Sequence, residues 1–388
     1  MKKGICNVVL ERTQKANGVI VVGAGRRGRD LLAFLEEYDS VSIRTIFDNN
    51  DALTGKYIDG IEIVKPYKVK ENNILYVIAV DAIDCQKTLR NQLQCLGINE
   101  DDIITYSMSG NYDYLSTLDE KYYEKAIKDM YYERFGEEIN WQEPRTYNEK
   151  VNWEKLNIKD ERKTRLSDKL LARDWVEAQI GKEHLTKLYG VWDKAEDIDF
   201  DTLPEAFALK LNNGSGRNII VKDKKHMNRE QVCKQLNEWR NHNFAYMSLE
   251  LQYKNITPKI ICEEYLEGVA ENVYDYNIFC FHGEPLYIWC IRESHRPGCQ
   301  ASFYTPEWEI QPFSFGYPRD DVIAPKPDKL EEMLELSRIL CRDFKHVRVD
   351  WYNLPDERVL FGEMTFSTWS GLERWKPKKY DAFFGNLI

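Results

Sequence analysis

The run HVRVDWYNLPDERVLFGEMTF, residues 346–366, constrains the fold of this chain more than any other stretch. Polar and apolar residues alternate on both sides of a Leu-Pro-Asp-Glu turn, the pattern of two antiparallel strands joined as a hairpin. On the first strand Arg348, Asp350 and Tyr352 share a face, opposite Val347, Val349 and Trp351. On the second, the same alternation puts Val359, Phe361, Glu363 and Thr365 on one face. With the turn centred near Asp356, Asp350 lands opposite the neighbourhood of Glu363, and facing side chains on paired strands stand about 4.5–5.5 Å apart. Two carboxylates at that distance raise each other's pKa unless a cation lies between them. Mg2+ suits such a pair, because it takes a few carboxylate oxygens together with substrate phosphates and water. Arg348 on the same face can add charge to a phosphate oxygen. The pattern predicts a metal or substrate site; the bland alternative is a solvent-facing hairpin with scattered charges.

The remainder of the 388 residues is too long for one ordinary core and divides by pattern. Residues 1–111 alternate strand and helix: GVIVVGAG enters a glycine turn, RRGRDLLAFLEEY has helical spacing at Leu31, Leu32 and Leu35, and VSIRTIFDNN and ILYVIAV are further strands. This predicts an α/β domain with a parallel sheet, Rossmann-like in order. Residues 112–156 are a helical connector, in which YLSTLDEKYYEKAIKDMYYERFG is polar, tyrosine-rich and helically periodic and reads as a connecting helix. Residues 157–388 mix helices with antiparallel strands, which predicts an α+β domain. Within it LSDKLLARDWVEAQIG reads as one helix stopping at Gly181.

Other segments carry chemistry. Gly23, Gly25 and Gly28 form G-x-G-x-x-G at a strand-to-helix turn, with Asp48 at the end of the next strand. Close backbone approach, free N–H groups at a helix start and a ribose-binding carboxylate would together hold a nucleotide or a nucleotide-sugar. The same unit could equally serve as scaffold. The loop Asn212-Asn213-Gly214-Ser215-Gly216-Arg217 lies between two strands, so it is a hairpin able to fold over a triphosphate rather than a strand-to-helix phosphate loop. Lys210, among Phe207, Ala208, Leu209 and Leu211, needs an anionic partner unless it snorkels from an ordinary hairpin turn, and Lys169 on the preceding helix is a second candidate phosphate contact. Glu263, Glu264, Tyr265 and Leu266 follow an apolar strand and can meet an adenine edge and ribose hydroxyls, as any exposed strand end could. Arg292, Glu293, His295 and Arg296 end another apolar strand as an anion site or a basic loop.

Composition sets limits on these readings. A formal net charge of −10 argues against a nucleic-acid partner. No run of apolar residues approaches membrane-spanning length, and the start lacks the apolar core of a secretory signal. Nine scattered cysteines without metal spacing fit buried free thiols in a reducing cytoplasm.

The order of these elements (lysine-bearing helix, lysine strand, glycine lid, acidic strand end, Asp/Glu hairpin) resembles the ATP-grasp fold. More closely, YERFGEEINWQEPRTYNEKVNWEKL, SDKLLARDWVEAQIG, FALKLNNGSGRNIIVKD, EEYLEG, DYNIFCFHGEP, VRVDWYN and FGEMTFSTWSG resemble the TupA-like ATP-grasp family of bacterial polysaccharide and teichuronopeptide biosynthesis. The resemblance implies an ATP-dependent carboxylate–amine ligase that works through an acyl phosphate on an amino acid or a uronic-acid-containing glycan. It implies ATP and Mg2+ as cofactors. Lys169 and Lys210 match the nucleotide-phosphate lysines, Gly214, Ser215 and Gly216 the lid, and Glu263, Glu264 and Leu266 the adenine and ribose hinge. Asp350 and Glu363 match the magnesium ligands, with Thr365 where many relatives carry an amide ligand, and Arg348 and Lys210 match catalytic positions. The sequence departs from the family at Asn277, where a lysine is expected, and in QASFYT, which lacks an Arg-Asn pair; both departures bear on the acceptor or on the efficiency of catalysis rather than on nucleotide binding. Competing readings are a glycosyltransferase-like polysaccharide enzyme that uses a nucleotide-sugar at the Gly23–Asp48 unit, and a non-catalytic nucleotide sensor.

Overall fold

The computed structural model describes residues 7–36, 40–80, 83–106, 112–266, 274–292, 299–320 and 322–388. The chain separates into two compact units, Met1–Glu138 with Tyr246–Ser248, and Ile139–Ala245 with Leu249–Ile388.

The first unit is built on a mixed sheet of strands in the order Tyr57–Ile58, Ile61–Val64, Ile43–Phe47, Gly18–Val22, Ile74–Ile78 and Ile103–Thr105. Neighbours are parallel except for the antiparallel edge pair Tyr57–Ile58 and Ile61–Val64, which the sequence pattern did not disclose. The central strand is apolar throughout because both of its faces are covered. Val19 and Val21 pack with Leu31, Leu32 and Leu35 of the helix Arg26–Leu35, while Ile20 and Val22 pack with Leu93 of the helix Ile83–Cys95. The tyrosine-rich stretch expected as one helix is broken in two, Tyr112–Thr117 and Tyr123–Phe135. Between them the Asp119 carboxylate accepts the Lys121 N–H, and such local capping ends a helix whose periodicity would otherwise run on.

The second unit contains two main antiparallel sheets and a two-stranded one, Ser314–Phe315 with Trp375–Lys376. The larger has the order Gln300–Tyr304, Glu284–Arg292, Tyr274–Phe281, His346–Asn353, Val359–Thr365. Met333, Leu334 and Leu340 of the helix Leu330–Cys341 pack with Ile278, Val347 and Val349 on one face. On the other, Phe279, Phe281 and Trp289 join an aromatic cluster with Tyr147, Phe315 and Trp375. The smaller sheet has the order Leu188–Trp192, Ile260–Glu264, Phe207–Leu211, Asn218–Val221.

Two local features correct the sequence reading and place the site. The helix expected to run up to Gly181 is divided at Asp168 into Glu161–Ser167 and Lys169–Ile180. The Asp168 carboxylate accepts the N–H groups of Leu170 and Leu171, so Lys169 becomes the first residue of a capped helix. In the hairpin, Val349 pairs with Met364 and Trp351 with Phe361, leaving Gly362 and Glu363 together opposite Asp350. A bulge resets the alternation. Val359 and Phe361 therefore lie in the core with Trp351, not on the face of Glu363 as expected, while Glu363 and Thr365 turn toward Arg348. Gly362 permits this: a Cβ there would sit 3.1 Å from the Asp350 carbonyl oxygen.

Among the described residues no helix is long and apolar enough to cross a membrane. The described cysteines are free, and Cys262, Cys280, Cys290 and Cys341 are buried.

Candidate active site

The larger sheet delivers Arg348 and Asp350 from its fourth strand, in register with Phe279 and Asn277 of the third. Glu363 and Thr365 arrive from the bulged strand. The Arg348 guanidinium donates to both Asp350 oxygens, at 2.7 and 2.6 Å, and lies 3.4 Å from Glu363 and 3.1 Å from the Thr365 hydroxyl. Thr365 in turn donates to Glu363 at 3.0 Å. The cation that two neighbouring carboxylates require is here a side chain of the same face. Burial pushes the Asp350 carboxyl up to about 6, against the pull of Arg348. Burial also opposes the charge on Glu363, but Lys169 and Arg348 outweigh it and hold that carboxyl below the usual range.

Lys169 joins this cluster to the glycine loop. Its Nζ lies 3.1 Å from Glu363 and donates to the Gly214 carbonyl at 2.6 Å, while its backbone N–H donates to Asn212 at 2.8 Å. The loop is pinned elsewhere by Arg217, which donates to the carbonyls of Trp239 and His242. Gly214 has φ +83° and is buried, with Phe244 so close that a Cβ would collide with its ring. Ser215 and Gly216 are exposed at the tip. Asn213 is fully buried, and its amide has no hydrogen-bond partner among the described residues.

On the smaller sheet Lys210 finds the anion its strand demands. Its Nζ meets Glu263 at 2.6 Å, and Arg173 meets the other Glu263 oxygen at 2.9 Å. Burial works against the charge of Glu263, but Lys210 and Arg173 hold its carboxyl below the ordinary range. Arg173 escaped the sequence reading. The signal was present, since four residues from Lys169 on one helix is the spacing that puts two side chains on one face. Lys169 also contributes to the electrostatics of Glu263, so the two clusters adjoin.

The structure thus brings Lys169, Gly214, Arg348, Asp350, Glu363 and Thr365 together, with Lys210, Glu263 and Arg173 alongside. Glu264, the next residue of its strand, is instead engaged by Arg358 at 3.1 and 3.2 Å, and Leu266 is half-buried beyond the strand end. Arg292 is neutralised by Asp320 at 2.6 Å and donates to the Gln300 amide oxygen of the QASFYT strand at 2.5 Å, which makes it a structural contact rather than an anion site. Glu293, His295 and Arg296 lie outside the described residues. In the first unit, Gly28 packs its helix against the strand so closely that a Cβ would fall 1.9 Å from the Gly23 carbonyl oxygen. Gly25 is exposed before that helix. The two Asp48 oxygens accept the Ala24 and Asn50 N–H groups, each at 2.8 Å.

The model of the TupA-like ATP-grasp family matches residues 149–388. The chain belongs to that family. A second family model, the N-terminal domain of C2185-like proteins, matches residues 15–104 of this TupA-like ATP-grasp protein. No curated protein matches the chain. Among solved structures, it is similar to N5-carboxyaminoimidazole synthase from Aspergillus clavatus with ADP and its ribonucleotide (9% identity, 91% of this chain and 70% of that one, TM-score 0.31). It is similar also to L-amino acid ligase from Bacillus licheniformis (10%, 90% and 68%, TM-score 0.35). A third is D-alanine–D-alanine ligase from Bacillus anthracis with ATP (14%, 90% and 85%, TM-score 0.31). Likenesses of this size carry no argument about substrates.

Among the described residues no three His, Cys, Asp or Glu side chains cluster as a metal site. The donor set that fits a hard cation is smaller: Asp350, Glu363 and the Thr365 hydroxyl are oxygens that all reach one guanidinium, so they can reach one shared ion.

Proposed function

We propose that this chain is an ATP-dependent carboxylate–amine ligase that works through an acyl phosphate. One observation carries the reading. A glycine loop, Lys169 and Arg348 converge on a pair of half-buried carboxylates, with Lys210 on Glu263 alongside, at the meeting of two antiparallel sheets of one unit.

Lys169, Lys210 and Arg173 are placed to hold phosphate oxygens, and the loop around Gly214 to lie over them with its backbone N–H groups. Glu263, Glu264 and Leu266 are assigned to the adenosine side, with Glu263 also setting the direction of the Lys210 ammonium. Asp350, Glu363 and Thr365 would hold Mg2+, which when bound neutralises charge on the phosphates. The terminal P–O bond of ATP breaks to leave ADP as a carboxylate oxygen takes the phosphoryl group. An amine nitrogen then attacks the acyl carbon, loses a proton, and phosphate departs. Arg348 supplies fixed positive charge where negative charge collects in both steps, and the rigid sheet keeps it there. Asn277, opposite Asp350, presents a neutral amide where a lysine would add charge, so this site leans more heavily on Arg348.

By family resemblance the acceptor is an amino acid or a uronic acid of a cell-surface polysaccharide precursor. The Rossmann-like reading of the first unit rests on its strand–glycine–helix order. Gly23 and Gly28 are accounted for by packing and Asp48 by backbone capping, and Gly25 is exposed with open space around it, so we place no ligand there.

The test is ADP release from Mg·ATP across a panel of amino acids and uronic-acid glycans, with Asp350→Asn as control. Acceptor-dependent ADP release that the variant lowers at least a hundredfold supports the ligase. Binding of a UDP-sugar with no response to ATP would sink it.

A further inference from the structure

The last helix, Lys379–Gly385, is fixed on its inner side and charged on its outer one. Phe384 is fully buried and stacks on Trp375 with centroids 4.0 Å apart and planes at 17°. The Asp381 carboxylate accepts the Asn148 N–H at 3.0 Å, and Lys150 donates to the Gly385 carbonyl at 2.8 Å. Gly385 lies so close to the chain before the helix Tyr147–Asn157 that a Cβ would fall 2.1 Å from the Arg145 carbonyl oxygen. The entry is held as well, since Tyr380 donates its N–H to the Pro377 carbonyl at 3.1 Å and Asp381 donates to that of Lys378 at 3.0 Å. A segment pinned in this way presents its outer residues on a rigid platform.

Those outer residues include Arg374, Lys376, Lys378, Lys379 and Phe383, all exposed. The chain as a whole carries a net charge of −10, yet from Arg374 to Ile388 its only acid is Asp381, which is buried. Glu373, just before the segment, accepts the Arg374 N–H at 2.7 Å. Arg374 and Lys378 have contacts elsewhere in the chain. The Lys376 ammonium meets no carboxylate among the described residues, and that of Lys379 meets only the face of Tyr380, at 5.3 Å. Beside them Phe383 keeps 41% of its surface open, although its ring touches Tyr380 at 5.9 Å, Tyr287 at 6.3 Å and Phe384 at 5.4 Å. Three ring contacts fix its direction, so the open part is a set apolar patch among cations.

We propose that this surface docks the chain on an anionic lipid bilayer, with Lys376 and Lys379 on the headgroup phosphates and Phe383 at the boundary with the acyl chains. The surface potential of an anionic leaflet draws lysines over a distance of about 10 Å. The excess of acids on the rest of the chain is repelled by the same leaflet, so the charge asymmetry also orients the molecule. A phenyl ring at the headgroup boundary sheds its water while neighbouring ammonium groups keep theirs, which suits the pairing of Phe383 with its lysines. A nucleic-acid backbone would satisfy the lysines and leave the ring without a partner. Docking of this kind needs no spanning helix, and it is independent of the ligase reading.

Co-sedimentation of the full chain with vesicles tests it, using phosphatidylcholine alone and phosphatidylcholine mixed with phosphatidylglycerol. The wild type should bind the anionic vesicles about tenfold or more tightly than the neutral ones, and should come off as salt rises from about 0.05 M to about 0.5 M. Lys376→Glu combined with Lys379→Glu should weaken anionic binding by about tenfold or more, and Phe383→Ser by about threefold or more. The charge variant alters only exposed side chains and should keep the wild-type urea midpoint, so a loss of binding is not a loss of fold. No binding to anionic vesicles, equal binding to neutral ones, or undiminished binding by either variant overturns the proposal. Double-stranded DNA that the wild type binds as tightly as the vesicles, and the charge variant releases, overturns it too and assigns the surface to a phosphate polymer.

Discussion

Arg348 sets the charge balance of the site, because Asp350, Glu363 and Thr365 all turn to one guanidinium. That convergence gives a measurable consequence. Arg348→Met leaves two carboxylates facing each other without their internal cation, and breaking a buried pair from one side costs about 3 kcal/mol or more. The variant should unfold at lower urea, and millimolar Mg2+ should raise its midpoint more than it raises that of the wild type. Equal shifts from Mg2+ in both proteins would show that the carboxylates do not share a metal position. At this scale the sequence was legible in part. An anionic partner for Lys210 was one reading of its apolar strand and snorkelling from an ordinary hairpin the other, and the identity of the anion was not written there. Glu263 read as a hinge carboxylate because strand pairing brings it beside Lys210 from a segment more than fifty residues away, and no local pattern encodes that pairing.

Between neighbouring strands, the decisive feature is the bulge at Gly362. Alternation placed Asp350 and Glu363 near each other, yet only a bulge lets Glu363 face Arg348 while Phe361 and Met364 stay in the core. The alternation was legible because apolar density marks it. The bulge was not, because it depends on register, which the turn from Leu354 to Arg358 sets by a Leu354–Arg358 backbone pair. An isolated glycine within a strand was the available clue. Gly362→Ala tests the point. Its methyl group would press on the Asp350 carbonyl at 3.1 Å, and backbone cannot yield as a flexible side chain does. The strands should part slightly, lowering stability by about 1 kcal/mol, and Mg·ATP affinity should fall more than stability predicts because Glu363 moves with the bulge. Unchanged nucleotide affinity in a folded variant would separate the bulge from the site. A different local signal operates at Asp168, where a capping carboxylate splits one apparent helix and hands Lys169 to the glycine loop.

Across the molecule, the two kinds of sheet were legible. Continuous apolar strands with intervening helices marked the first sheet, and alternating strands marked the second unit's sheets. What escaped is a polar layer assembled from segments far apart in sequence, centred on Lys155. This lysine is 8% exposed, donates to Asn152 at 2.9 Å, and lies within electrostatic reach of Glu250, whose carboxylate accepts the Ser367 hydroxyl. In sequence Lys155 is one of many lysines on a polar helix, and nothing marks it as buried. Burial lowers its ammonium from 10.5 to about 8, with Glu250 opposing. A lysine whose folded pKa is depressed binds its proton more tightly in the unfolded chain, so stability rises with pH between the two values. The destabilising contribution is present in full below about pH 8 and has vanished above about pH 10.5. Lys155→Met removes the titration and keeps the length of the side chain, and every other alkaline group is common to both proteins. The unfolding free energy of the wild type should therefore gain on that of the variant by on the order of 3 kcal/mol between those limits. Urea titrations at pH 7.5, 8.5, 9.5 and 10.5 measure the difference directly; a difference that stays flat, or that moves against the wild type as pH rises, would mean that Lys155 keeps an ordinary pKa and that water reaches the layer around it.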